Sequence, residues 1–345
     1  MIRFHFISLL LGLFLASSAC HSAADKSHAA APTSSEDRWL LIGEFRLSDT
    51  PVIDGDTIRV EGLDHSVRLM SLDTEETFHS KADRKDAAQD FDAYLRAKRG
   101  DQPHPTKAAT PMGEEAKDWA ERFFEGVDSV ELERDAAHTT QDRYGRTLAH
   151  AFARKKGKRL HYNLEAIRSG MSPYFVKYGY SERFHDAFSR AEAEARAAHR
   201  GIWDAGKKAY RDYPERKAWW TARADAIQGF EREARTRSDY IVLTRPDADA
   251  ELERNLGREV TVLGSVQRID PKKTLVRVWL GKRRGSDFPL IFFDRDVYHR
   301  SDLDRHRGEL VTVRGTVERY AAGEYQTLQI VVKDAKQVEL SGLPR

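Results

Sequence analysis

Apolar and polar residues alternate with a period of two in two stretches of this chain, and a helical period dominates between them. In the first stretch Ile58 and Val60 alternate with Thr57 and Arg59, and Val67 and Leu69 with Arg68 and Met70. That is the period of a half-buried antiparallel hairpin, joined by the turn-like EGLDHS. IGEFRL precedes it as a further strand, and VDSVELE and YGRTLAHAFA predict two more, with Tyr144, Leu148 and Ala149 facing inward. Residues 77–111 interrupt this pattern with charge: DAAQDFDAYLRAKR reads as helical and QPHPTKAATP as turn. Helices are predicted from Glu114 to about Phe124, over HYNLEAIRSG up to Gly170, and from Arg183 to Arg200, where Gly201 stops the run.

Residues 205–243 are strongly charged and helix-periodic, which predicts a helical bridge with Trp219 and Trp220 on its covered face. From Gly257 onward the strands return as EVTVLGSVQRI, TLVRVWL, FPLIFF, ELVTVRGTVERY and YQTLQIVV. Five strands with one helical turn between the third and fourth predict a second, small OB-like β-barrel. VLGSV and VRGTV place glycines inside strands, where backbones bend or approach closely. The fold class expected overall is mainly β with helices (α+β).

Length and charge add little to this picture. The chain has 345 residues, enough for about two domains, and a formal net charge of +2. That balance excludes a polybasic coat but not a local basic patch. The single cysteine, Cys20, excludes an internal disulfide and a zinc site built on several thiolates. Its position says more. Arg3, an apolar run from Phe6 to Ala16, and small residues Ser17 to Ala19 lead directly into it, and a polar tether follows. The pattern resembles a bacterial lipoprotein signal, with residues 1–19 removed and a lipid on Cys20; the alternative is an ordinary secretory signal. Either way the expectation is an exported protein, lipid-anchored in the envelope, or else periplasmic or secreted.

Candidate chemistry concentrates in the first hairpin. Asp54 and Asp56 flank Gly55, and Asp73 ends the strand that returns beside them, with Glu76 just beyond. Carboxylates held together repel unless a cation lies between them, and a hard divalent ion with oxygen ligands serves. Arg68 leads into Asp73, and Arg146 follows the turn DRYG. A planar guanidinium neutralises non-bridging phosphate oxygens with two parallel hydrogen bonds. Glu76 stands apart by a short loop, suited to holding a water for attack on phosphorus.

VIDGDTIRV, VRLMSLDTEE and DRYGRTLA, with YNLEAIRSGMSPYFVKY and AEAEARAAHRGIW behind them, resemble the staphylococcal nuclease (thermonuclease) family over roughly residues 44–204. The resemblance implies a five-stranded OB-type barrel with helices. It also implies calcium-dependent cleavage of DNA and RNA that leaves 3′-phosphate ends. By position, Asp56 and Asp73 match the family's carboxylate ligands to Ca2+, and Thr74 the residue offering a backbone carbonyl. Asp54 matches the acid that shapes the site from behind. Arg68 and Arg146 match the arginines on the scissile phosphate, and Glu76 the general base. Tyr144 and Tyr178 match aromatic residues of the nucleotide site, with Tyr174 or Phe175 near a further aromatic position now held by Val176.

Two features depart from the family. Glu75 stands where the family commonly has proline, loosening the link between Asp73 and Glu76. The 77–111 insertion enters just after the base, as a lid, a selective wall or a passive loop. The expected organisation is a signal over 1–19, a tether over 20–43, the thermonuclease-like domain over 44–204, a helical linker over 205–243 and the second barrel over 244–345. The expected function is a metal-dependent nuclease acting on DNA and/or RNA. The alternative is a non-catalytic envelope protein that binds nucleic acid or protein on the same fold. Oligomeric state is not legible.

Overall fold

The computed structural model describes residues 39–137, 140–142, 144–281 and 287–343. The signal, most of the tether, Cys20 and the basic residues Lys282, Arg283 and Arg284 therefore lie outside the described residues.

The first sheet is built from β1 (Leu41–Asp54), β2 (Thr57–Val60), β3 (Val67–Leu69), β4 (Ser129–Glu133), β5 (Thr147–Lys155) and β6 (Lys158–His161). Its order is β3-β2-β1-β4-β5-β6, and a parallel β3–β5 pairing closes the first five strands into an OB-like barrel. In β2 the alternation places Ile58 and Val60 in the core and leaves Arg59 exposed. Val67, Leu69, Leu132 and Ala149 complete that core with Tyr162 and Phe188 from the flanking helices. Tyr144 does not face inward with them. It sits in the turn before β5 and is 64% exposed.

The insertion forms α1 (Lys81–Gln89) and α2 (Phe91–Arg99), because Asp90 both ends the first helix and caps the second by accepting from Ala93 N. Then α3 (Pro111–Phe124) starts earlier than Glu114: Thr110 caps it and Pro111 occupies its first turn. Phe91, Tyr94 and Met112 bury themselves with Ile202, Tyr210 and Tyr213, so the insertion is packed on the body of the protein. Two helices follow the barrel, α4 (Tyr162–Arg168) and α5 (His185–Ala197).

The long α6 (Tyr213–Ala234) carries Trp219 and Trp220 into the barrel's core cluster and Phe230 into another with Val242, Leu263 and Leu310. Beyond it lie β7 (Tyr240–Val242), α7 (Ala248–Arg254), β8 (Glu259–Pro271), β9 (Val276–Leu280), β10 (Phe288–Phe292), α8 (Arg295–Arg300), β11 (Leu310–Ala322), β12 (Tyr325–Val331) and β13 (Val338–Ser341).

The expectation of a second small five-stranded barrel is corrected here. These strands form a seven-stranded sheet ordered β13-β11-β12-β10-β9-β8-β7, in which β8 also pairs with β11. The additions are β7, parallel to β8, and β13, antiparallel to β11. Each has only three or four residues, too few for a period to register, and β7 lies inside the stretch whose charge reads as helix. Gly264 and Gly315 are close-approach positions, since a Cβ on Gly315 would lie 2.5 Å from the Ile330 side chain.

Candidate active site

The hairpin brings Asp56 and Asp73 together. Thr57 pairs with Arg68 across β2 and β3, which sets the Arg68 side chain beside Asp56. The turn before β2 is held from three directions. Asp54 Oδ1 accepts from Asp56 N at 3.0 Å, Tyr162 donates its hydroxyl to the Gly55 carbonyl at 2.8 Å, and Thr74 N donates to Asp56 Oδ2 at 3.0 Å. Gly55 is required by proximity, because a Cβ there would lie 2.7 Å from Thr74 Cγ2. Asp73 is fixed through its backbone, whose N–H donates to Ser172 Oγ at 2.9 Å.

Arg68 is the centre of the cluster. One guanidinium nitrogen pairs with Asp56 Oδ1; the other donates to Asp73 Oδ1 at 3.2 Å and to the Leu72 carbonyl at 2.9 Å. Asp56, Asp73 and Thr74 are all buried. Burial pushes the Asp73 carboxyl up, but Lys107 and Arg68 outweigh it and hold the group below its ordinary range. Asp54 behaves oppositely: burial dominates over Arg68 and raises it. Arg146 is also among the charges acting on Asp54, and its own Nε donates to Asp142 Oδ2 at 2.7 Å.

Glu76 is more open, with its side chain 39% exposed. Its Oε1 lies 2.9 Å from Lys107 Nζ, and the same ammonium lies 2.8 Å from Asp73 Oδ1. Lys107 has no signal in the sequence pattern; it reaches the cluster from the far end of the insertion. The backbone of Glu76 bridges to Ala109 in parallel, and its carbonyl accepts from Thr110 N at 2.9 Å.

Glu75 points away from this cluster and does not compete with Glu76. It is buried, and it accepts from Tyr210 N at 2.8 Å, from the Tyr213 hydroxyl at 2.9 Å and from the Thr110 hydroxyl. Burial pushes its carboxyl up to about 7 against those hydrogen bonds. The acid in the proline position thus ties the segment before Glu76 to the insertion and to α6.

The aromatic candidates divide. Tyr144 and Tyr178 are exposed outside the ion-paired cluster; the Arg146 guanidinium lies 5.6 Å from the Tyr144 ring centre, and Tyr178 meets Phe175 edge-on. Tyr174 is buried, its hydroxyl accepting from Ser181 N at 3.0 Å and bonded to His185 Nδ1, so it belongs to the core.

Residues 66–205 match the family model described as staphylococcal nuclease homologue. Over 157 residues the chain is 29% identical to the thermonuclease of Staphylococcus hyicus, an overlap covering 44% of this chain and 72% of that protein. The chain carries a thermonuclease-like domain. Among the described residues of that domain and the rest of the chain, no three His, Cys, Asp or Glu side chains form a metal-binding group. Two buried carboxylates, Asp56 and Asp73, lie instead beside the Thr74 backbone. Hard oxygen donors of this kind fit a divalent ion such as calcium. The Arg68 guanidinium lies against both carboxylates, a cation held where two negative charges converge. No helix among the described residues is long and apolar enough to cross a membrane.

Proposed function

We propose that the protein is a calcium-dependent phosphodiesterase that hydrolyses DNA and/or RNA and leaves 3′-phosphate ends. The observation that carries this reading is the convergence of Asp56 and Asp73 on Arg68, with Glu76 joined to Asp73 through Lys107. Asp56, Asp73 and the Thr74 carbonyl would hold Ca2+, which supplies Lewis-acid polarisation of a phosphate oxygen when bound. Glu76, half-open to solvent and ahead of the buried pair, orients a water and takes its proton for in-line attack on phosphorus. Arg68 and Arg146 neutralise the charge that grows on the non-bridging oxygens. Asp54 braces the turn that presents Asp56, and Tyr144 and Tyr178 offer exposed rings to the nucleotide. The leaving 5′ oxygen takes its proton from water, and Arg146 assists its departure by hydrogen bonding.

The amino-terminal pattern supports export, with Cys20 as the lipid attachment point. The activity is tested with the purified chain, in calcium or in chelator, on single-stranded DNA, duplex DNA and RNA. Calcium-dependent release of 3′-phosphate ends supports the reading, and its absence on all three substrates contradicts it. Cys20→Ser tests the anchor: the variant should move from the membrane fraction to the soluble one.

A further inference from the structure

The carboxylate cluster already has a second cation of its own. Lys107 Nζ lies 2.8 Å from Asp73 Oδ1 and 2.9 Å from Glu76 Oε1, bridging a proposed ion ligand and the proposed base. An ammonium there opposes the same negative charge that a divalent ion would oppose. Its side chain is 49% exposed, and its flexible stem lets it leave toward solvent.

The backbone that delivers Lys107 is not free in the same way. Residues on both sides of it are fastened. The Thr106 carbonyl accepts from Arg216, a buried residue of α6. Ala108 exchanges two hydrogen bonds with the Tyr210 hydroxyl, at 2.8 Å through its N–H and 2.6 Å through its carbonyl. Three residues upstream, His104 stacks on Trp219, ring centres 4.3 Å apart and planes 2° from parallel. Its Nε2 lies 3.1 Å from Glu309 Oε1. Glu309 immediately precedes β11 and is buried; its other oxygen accepts from Trp219 Nε1 and Arg223 Nη1, each at 3.2 Å. Glu309, at the entry to the second sheet, thus holds the stretch of insertion from which Lys107 extends.

We infer that Lys107 is a tethered counter-ion that calcium must displace from Asp73 and Glu76, and that the second sheet sets its position through Glu309 and His104. This rests on the calcium reading given above. A lysine in this place keeps the site electrically quiet without metal and lowers its affinity for the ion. The insertion then acts as a threshold on metal loading.

The test is calorimetric titration of calcium into the metal-stripped full chain, without nucleic acid. Lys107→Met should bind calcium about tenfold or more tightly than the unaltered chain, in line with the effect of removing a charge at this distance. Lys107→Arg should bind as the unaltered chain does. His104→Phe, which keeps the stack on Trp219 and drops the bond to Glu309, should bind more tightly by a smaller factor. Equal affinities for Lys107→Met and the unaltered chain overturn the inference while leaving the calcium reading intact. Unchanged affinity in His104→Phe overturns the role of the second sheet. Lys177→Met is the control for charge acting through space, and an equal gain there overturns displacement. Absence of binding in every variant contradicts the calcium reading itself. Circular dichroism verifies folding, with Lys107→Gln as the substitute should the methionine variant fail it.

Discussion

A Cβ placed on Gly113 would lie 2.7 Å from the carbonyl oxygen of Glu75 and nearer still to that of Glu76. The first turn of α3 therefore rests directly on the backbone that presents the proposed base. A side chain at 113 has no flexible atom to push aside, only main chain.

Gly113→Ala should accordingly displace Glu76 while leaving the barrel folded. A shift of about 1 Å in a reacting group costs about 10²-fold in rate. Hydrolysis rates measured beside the far-ultraviolet circular dichroism spectrum check this: activity should fall by that order with the spectrum unchanged.

Glu75 makes a separable prediction. Glu75→Ala strands the Tyr213 hydroxyl, the Tyr210 N–H and the Thr110 hydroxyl in a buried setting. Leaving a buried polar group unsatisfied costs about 1–3 kcal/mol, so urea unfolding should show a loss of at least that order. Glu75→Gln keeps an acceptor and should lose far less. Equal losses in the two variants would contradict the tie described here.

The barrel's own scaffold predicts an acid limit to stability. His161 is buried, and burial first, then the charges of His150 and Arg159, hold its ring well below the ordinary histidine range. The unfolded chain takes up that proton as pH falls through about 6.5, and the folded chain does not. Stability is therefore complete above that pH and declines below it. Asp135 adds a second loss at lower pH. Burial raises its carboxyl, but the hydrogen bond and charge of His150 prevail and lower it, so its contribution fades as pH drops below about 3.9. Denaturant unfolding from pH 8 to 4 should show the first decline, and His161→Phe should flatten it between about pH 6.5 and 5.

How much of this was legible in the sequence depends on range. The alternation around Ile58 and Val67 is a local property, and it specifies the hairpin that carries Asp56 toward Asp73. Arg68 is legible for the same reason, since strand register sets it opposite Thr57. Lys107 is not, because nothing near it in the chain points to Asp73; its place follows from Tyr210, Arg216 and Glu309, all distant in sequence. The setting of Glu75 is not legible either, since the residues that hold it away from Glu76, Tyr210 and Tyr213, lie beyond the barrel in the chain. The edges of the second sheet are not legible, because β7 and β13 are too short to show a period. Tyr144 departs from the inward expectation because it lies in the turn before β5, where the strand alternation does not extend.

In the proposed function the Asp56, Asp73, Arg68 and Glu76 cluster performs hydrolysis. Its most direct test is the initial rate on single-stranded DNA in saturating calcium, comparing Glu76→Gln with the unaltered chain. Removing a general base lowers the rate by about 10²- to 10⁴-fold. A loss in that range, with calcium affinity retained, is the predicted result; an undiminished rate would contradict the account.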